Sequence, residues 1–230
     1  MADGARMAGL RLTLAPGWKT YWRVPGEGGI APVFDWSGSD GLARAEPLWP
    51  VPERFEQAGM ESFGYQGEVV LPVRVTPAAE DRPARLSLDL ALGVCREICL
   101  PVRLTLAEAA DSPEGVPAIR AALARLPRGA DVAGLAAARC AVRPIADGLA
   151  LTLRLPAPEG PVHAAVVEPG RADVWASPVK IAAGEGRLTL TSDLVPPGGA
   201  PYEADLSALR LTVFAGAGAI TWAGCAAADG

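Results

Sequence analysis

The chain has 230 residues, is 50% hydrophobic and 20% charged, and carries a net charge of −5. A packed globular core is within reach of that length and composition, and the acidic balance, with no basic run interleaved with aromatics, excludes a nucleic-acid surface. Four cysteines beside a single histidine, His163, point to an oxidising compartment rather than a zinc site or a histidine-based catalytic triad.

Taken from the N-terminus, Met1-Ala-Asp-Gly-Ala-Arg6 has no apolar core, so the sequence as given shows no export signal. Leu10-Arg-Leu-Thr-Leu14, the turn pair Pro16-Gly17, a strand over 18–23 and the turn cluster Pro25-Gly-Glu-Gly-Gly29 set a rhythm of short alternating strands and turns. This is the rhythm of a β-sandwich. Val69-Val-Leu-Pro-Val-Arg-Val75 continues it, with Pro72 predicting an edge strand or a bulge. Leu86-Ser-Leu-Asp-Leu-Ala-Leu92 and Leu100-Pro-Val-Arg-Leu-Thr-Leu106 alternate in the same way, with Cys95 and Cys99 in the loop between them.

The breaker cluster Asp111-Ser-Pro-Glu-Gly-Val-Pro117 then changes the composition. Ile119, Leu123 and Leu126 recur at helical spacing, and the alanine-rich piece 132–139 predicts a second short helix. Strand rhythm returns from Cys140 in Leu149-Ala-Leu-Thr-Leu-Arg-Leu155, Val162-His-Ala-Ala-Val-Val167, Arg187-Leu-Thr-Leu-Thr191 and Leu209-Arg-Leu-Thr-Val-Phe214. The uncharged stretch 211–228 is broken by Gly216, Gly218 and Gly224, so it reads as two strands and a glycine turn, not a membrane span. The expected architecture is all-β. Two immunoglobulin-like β-sandwich domains, 1–110 and 139–230, are joined by a helical connector over 111–138.

The two thiols of the first hairpin carry the chemistry. Their C-x3-C spacing between strands disfavours a thioredoxin fold, in which a C-x-x-C pair opens a helix. A ring closed over so few residues removes little unfolded-state entropy, which makes it a poor staple and a better switch. On spacing alone, a static bridge and two unrelated buried thiols stay open beside a redox pair. In the second domain Cys140 opens the strand series and Cys225 closes it, which places them for a structural disulfide across a long loop, with two buried free thiols as the alternative. His163 lies in an apolar strand and reads as structural. The glycine groups at 26–29 and 198–199 lack the context of phosphate loops and read as turns.

Three blocks, Gly17-Trp-Lys-Thr-Tyr-Trp-Arg23, Phe63-Gly-Tyr-Gln-Gly-Glu-Val-Val-Leu-Pro-Val73 and Val94-Cys-Arg-Glu-Ile-Cys-Leu-Pro101, together resemble the periplasmic N-terminal domain of the DsbD family of thiol:disulfide interchange proteins. The likeness is nearest to the branch that includes the copper-sensitivity suppressor protein ScsB, and it spans about residues 7–108. It implies a periplasmic protein-disulfide reductase domain that takes electrons from a membrane-embedded partner and passes them to thioredoxin-like acceptors through a reversible Cys95–Cys99 disulfide. No cofactor is implied. In those relatives an aromatic on a loop caps the disulfide; by position Phe63 is the counterpart here, with Glu61 the nearby acid and Tyr21 the tyrosine beside the pair. Two rival readings stand: a Cu(I) module holding the metal on the two thiolates, though no third soft ligand supports it, and a non-catalytic interaction module with static bridges. No metal site of harder ligands is expected.

Overall fold

The computed structural model describes residues 4–57, 59–79, 82, 84–107 and 115–227. The opening residues 1–3, the part of the breaker cluster at 111–114 and the tail 228–230 lie outside them. The chain divides into two compact units, 1–126 and 127–230. Among the described residues no helix is long and apolar enough to cross a membrane.

The first unit contains β1 (Arg6–Thr13), β2 (Lys19–Gly26), β3 (Val33–Asp35), β4 (Leu42–Pro47), β5 (Glu53–Gln57), β6 (Met60–Gln66), β7 (Glu68–Pro77), β8 (Ser87–Cys95), β9 (Cys99–Ala107) and α1 (Gly115–Leu123). One sheet has the order β1-β7-β4; the other runs β3-β8-β2-β6-β5, with β9 on the remaining edge of β8. Side chains alternate along β8, so Leu88, Leu90 and Leu92 point inward and pack with Leu10 and Leu12 of β1 and with Phe34 and Trp36. That contact joins the two sheets into a sandwich.

Pro72 sits in β7, the middle strand of its sheet, rather than at an edge. Its missing donor is tolerated because its carbonyl accepts from Leu48 N–H at 2.7 Å, one residue past the end of β4. A residue's N and C=O face the same neighbour in a strand, so the proline nitrogen falls where that neighbour's ladder has already stopped.

Helix α1 is part of the first unit, lying against β7 and β1. Ile119 packs where Gly9 has no side chain; a Cβ there would stand 2.8 Å from it.

The second unit contains β10 (Arg128–Gly129), β11 (Arg139–Ile145), β12 (Gly148–Pro156), β13 (Val162–Glu168), β14 (Trp175–Ala176), β15 (Lys180–Gly184), β16 (Arg187–Val195), β17 (Arg210–Ala215), β18 (Gly218–Ala223) and β19 (Ala226–Ala227). Its sheets have the orders β10-β18-β17-β13 and β14-β16-β12-β11-β19, with β15 also pairing β16. Leu149, Leu151, Leu153 and Leu155 of β12 meet Leu211 and Val213 of β17 in one core, again sheet upon sheet. The architecture is all-β with two sandwiches.

The helix expected over 132–139 does not form: residues 131–134 are turn, 135–138 have no regular structure and 139 begins a strand. Gly134 takes a φ of +70°, incompatible with helix continuation. The backbone there is held from the sheet instead, since Ala130 N–H donates to Thr221 O and the Trp222 indole donates to Ala136 O at 3.1 Å. β10, in the stretch read as connector, pairs parallel with β18. His163 is exposed at an irregularity of β13 and not a core residue.

Candidate functional site

Cys95 ends β8 and Cys99 begins β9; the two are directly opposite and their sulfurs are bonded, closing the turn Arg96-Glu97-Ile98. Their Cα atoms are 4.1 Å apart, close to the spacing of a non-hydrogen-bonded antiparallel pair. The turn is tied by Arg96 N–H donating to Ile98 O at 3.1 Å. The two sulfur-bearing residues differ sharply in access. Cys95 is 1% exposed, whereas Cys99 is open to solvent.

Strand register decides what shares the disulfide's face. Lys19 pairs with Cys95 on one side and Gln66 on the other, and two residues on Tyr21 pairs with Gly64. Directly paired residues project to the same face and neighbours along a strand to opposite faces. Lys19, Tyr21, Ser62 and Gly64 therefore lie on the disulfide face. Phe55, paired with Ser62, joins them, and the Lys19 ammonium stands 5.1 Å from the Phe55 ring centre. Gly64 leaves this face low, as does Gly93 one pleat from Cys95.

Tyr21 crosses towards the pair. Its hydroxyl is 3.5 Å from Cys99 Sγ and donates to Gly28 O at 3.3 Å. Burial pushes its pKa up, so it stays a neutral donor. Segment 25–30 lies over this ring: a Cβ on Gly29 would stand 2.7 Å from Tyr21, and Ile30 packs where Gly93 has no side chain. Arg96 folds its stem back to Gly17.

Phe63 is placed differently from the loop position expected. It is a residue of β6 itself, 3% exposed, with its ring edge-to-face on Trp22 at 6.4 Å. Being adjacent to Gly64, it points to the inner face, away from Tyr21 and the sulfurs. Glu61, two residues earlier, shares Phe63's side of β6 and is ion-paired with Arg54. The structure thus brings Tyr21 to the pair and leaves Phe63 and Glu61 on the other face. Sequence reasoning did not single out Lys19 and Phe55, whose place on this face is set by cross-strand register, and it put Phe63 on a loop. Reading 60–66 as a strand would have put Phe63 with Tyr65, on the side opposite Gly64.

Cys140 of β11 and Cys225, which precedes β19, are bonded with Cα atoms 5.8 Å apart, and β11 and β19 pair in parallel beside the bridge. Among the described residues no group of three or more His, Cys, Asp or Glu side chains could hold a metal ion.

Residues 1–110 match the family model for the N-terminal domain of the thiol:disulfide interchange protein DsbD. The chain is also similar to the crystal structure of the N-terminal periplasmic domain of ScsB from Proteus mirabilis, with 26% identity, a TM-score of 0.73, and coverage of 100% of this chain and 90% of that one. No curated protein matches it. The matched segment holds the bonded hairpin, so the first unit is similar to the N-terminal domain of the DsbD thiol:disulfide interchange proteins.

Proposed function

We propose that this is a periplasmic electron shuttle, reduced by a membrane-embedded partner and oxidised by thioredoxin-like acceptors through a reversible Cys95–Cys99 disulfide. The observation that carries the reading is the unequal exposure of the two bonded cysteines, within the segment that matches the interchange family. A donor thiolate attacks Cys99 Sγ, the sulfur of the exposed cysteine. The Cys95–Cys99 bond breaks, its electron pair stays on Cys95, and a mixed disulfide joins donor to Cys99. A second donor thiol then attacks its own mixed sulfur and frees Cys99. Two electrons and two protons have passed to this chain, and the reverse sequence delivers them to an acceptor.

Tyr21 supports this traffic. Its neutral hydroxyl lies within reach of the Cys99 sulfur and can turn its one proton from Gly28 O to the thiolate that each cycle creates there. Opposite charges on Arg96 and Glu97 leave the turn without a strong net pull on that thiolate.

Single-cysteine variants of the full chain test the reading. Cys95→Ser retains Cys99 and should form a mixed disulfide with oxidised glutathione about tenfold faster or more than Cys99→Ser, which retains the buried thiol. Equal rates, or faster reaction through Cys95, would contradict it.

A further inference from the structure

We propose that Lys19 is the charge partner of Cys95 in exchange: its ammonium stands over Phe55 while the disulfide is closed and swings to Cys95 Sγ when a thiolate forms there. The proposal rests on the interchange reading above and adds to it a residue that serves the buried sulfur.

Lys19 is 7% exposed, and among the described residues it is the one charged residue that is buried. Taking an ammonium out of water is costly unless something offsets the loss, so its burial here calls for a reason. Its place in the sheet supplies the first part. Lys19 of β2 is directly opposite Cys95 of β8 and Gln66 of β6, so neither cross-strand neighbour is a carboxylate. Thr20 holds β2 to β8 at that point, its hydroxyl donating to Gly93 O at 2.9 Å in a buried bond. Opposed side chains start about 5 Å apart at Cβ, and a flexible four-carbon lysine stem covers that span. The second part is where the ammonium rests in the bonded state, 5.1 Å from the centre of the Phe55 ring. A ring face attracts a cation and leaves it free to turn to a stronger partner.

The other charged groups about the pair are poorly placed for this duty. Arg96 and Glu97 are exposed on the turn and opposite in sign. Glu53, paired with Gly64, Arg103, two pleats along β9 from Cys99, and Glu27, in the segment over Tyr21, are exposed as well, where water and salt screen them. Tyr21 is neutral and lies at Cys99.

The two sulfurs need different help. Cys95 is 1% exposed, and burial opposes a thiolate. When a donor thiolate attacks Cys99 Sγ, the S–S bond breaks and its electron pair passes to Cys95. A cation drawn to that sulfur makes Cys95 the better leaving group. In delivery the same pairing keeps Cys95 ionised, ready to attack Cys99 Sγ in the mixed disulfide and release the acceptor's thiolate. Lys19 keeps its protons throughout; it supplies charge, and the proton that reduced Cys95 finally takes comes from solvent.

The chain has two lysines, and Lys180 is exposed in the second unit, so isotope-labelled lysine gives one signal for Lys19 and one internal reference. On reduction of the folded wild type with dithiothreitol, the Lys19 side-chain resonance should move and that of Lys180 should stay. An unmoved Lys19 overturns the proposal, and this measurement decides alone if Lys19→Met fails to fold. In the Cys99→Ser chain, which keeps Cys95, thiolate absorbance followed through pH gives the titration midpoint of that thiol. Adding Lys19→Met should raise the midpoint by about one unit or more, a tenfold loss of thiolate at a given pH, and Lys19→Arg should largely restore it. No rise with methionine, or an equal rise with arginine, would overturn the charge role. In the chain with both cysteines, Lys19→Met should slow reduction by dithiothreitol about threefold or more, and an unchanged rate would count against it equally. A folded wild type that dithiothreitol leaves oxidised would overturn the interchange reading itself, whereas a reducible wild type with an unmoved Lys19 overturns the lysine alone.

Discussion

Phe63 is the residue at which the two faces of one strand separate function from stability. Its ring packs on Trp22 inside the first sandwich while Gly64, its neighbour, opens the disulfide face. Phe63→Ala should therefore cost about 3–5 kcal/mol, the usual range for truncating a core aromatic, and should leave the reaction of reduced Cys95 and Cys99 with a small oxidant unchanged. Urea unfolding and stopped-flow oxidation measure the two quantities. A faster oxidation at full stability would restore a capping role. The place of the bonded pair at a hairpin end was legible from sequence, because the two thiols lie between two alternating runs. Tyr21 was legible through family likeness, and its geometry agrees, with the hydroxyl near Cys99 Sγ. Lys19 and Phe55 were not, since nothing in their local sequence reveals a cross-strand register set by strands far along the chain.

At the scale of elements, the long alternating runs were readable because each has one face in a core, as in β7, β8, β12, β16 and β17. Short edge strands such as β3, β10, β14 and β19 were not, since pairing rather than burial pattern defines them. The 132–139 helix failed for a related reason: alanine content favours a helix, but Gly134 and hydrogen bonds to β18 hold the segment otherwise. The link between β5 and the strand before it illustrates how a loop is fixed. Tyr65 of β6 donates from its hydroxyl to Pro50 O at 2.7 Å, and burial drives its pKa well above the ordinary value near 10, against a smaller opposing pull from Arg23 and Arg125. The unfolded chain releases that proton at lower pH than the folded one does. Its contribution to stability is full below the ordinary tyrosine pKa and is lost as pH rises beyond it. Urea midpoints at about pH 8 and about pH 11 should show a fall in the native chain. Tyr65→Phe should lessen the fall while costing about 1–3 kcal/mol at the lower pH, because Pro50 O loses its buried donor. An undiminished slope in the variant would assign the alkaline loss elsewhere.

At the scale of the molecule, the two bridges differ in what they enclose. Cys95–Cys99 spans a sequence separation of 4 and Cys140–Cys225 one of 85. The long loop should make the second bridge worth about 4–5 kcal/mol on the chain-entropy account, so replacing both of its cysteines by serine should lower the melting temperature of the second unit and leave exchange at Cys95 and Cys99 intact. Loss of exchange in that variant would mean that the four thiols act together. The sequence expected the sandwiches and a helix between them. It did not place the division at 126/127, because α1 is held to the first unit by the absent side chain of Gly9, a contact invisible in helical spacing. The central claim is that one disulfide opens and closes in the folded chain while the other does not. Its most direct test is a redox titration in glutathione buffers, with alkylation and mass spectrometry reading each linkage separately. The account predicts a Cys95–Cys99 potential above about −300 mV with the fold retained and Cys140–Cys225 still closed. Reduction of Cys95–Cys99 only below that potential, or only on unfolding, would contradict it.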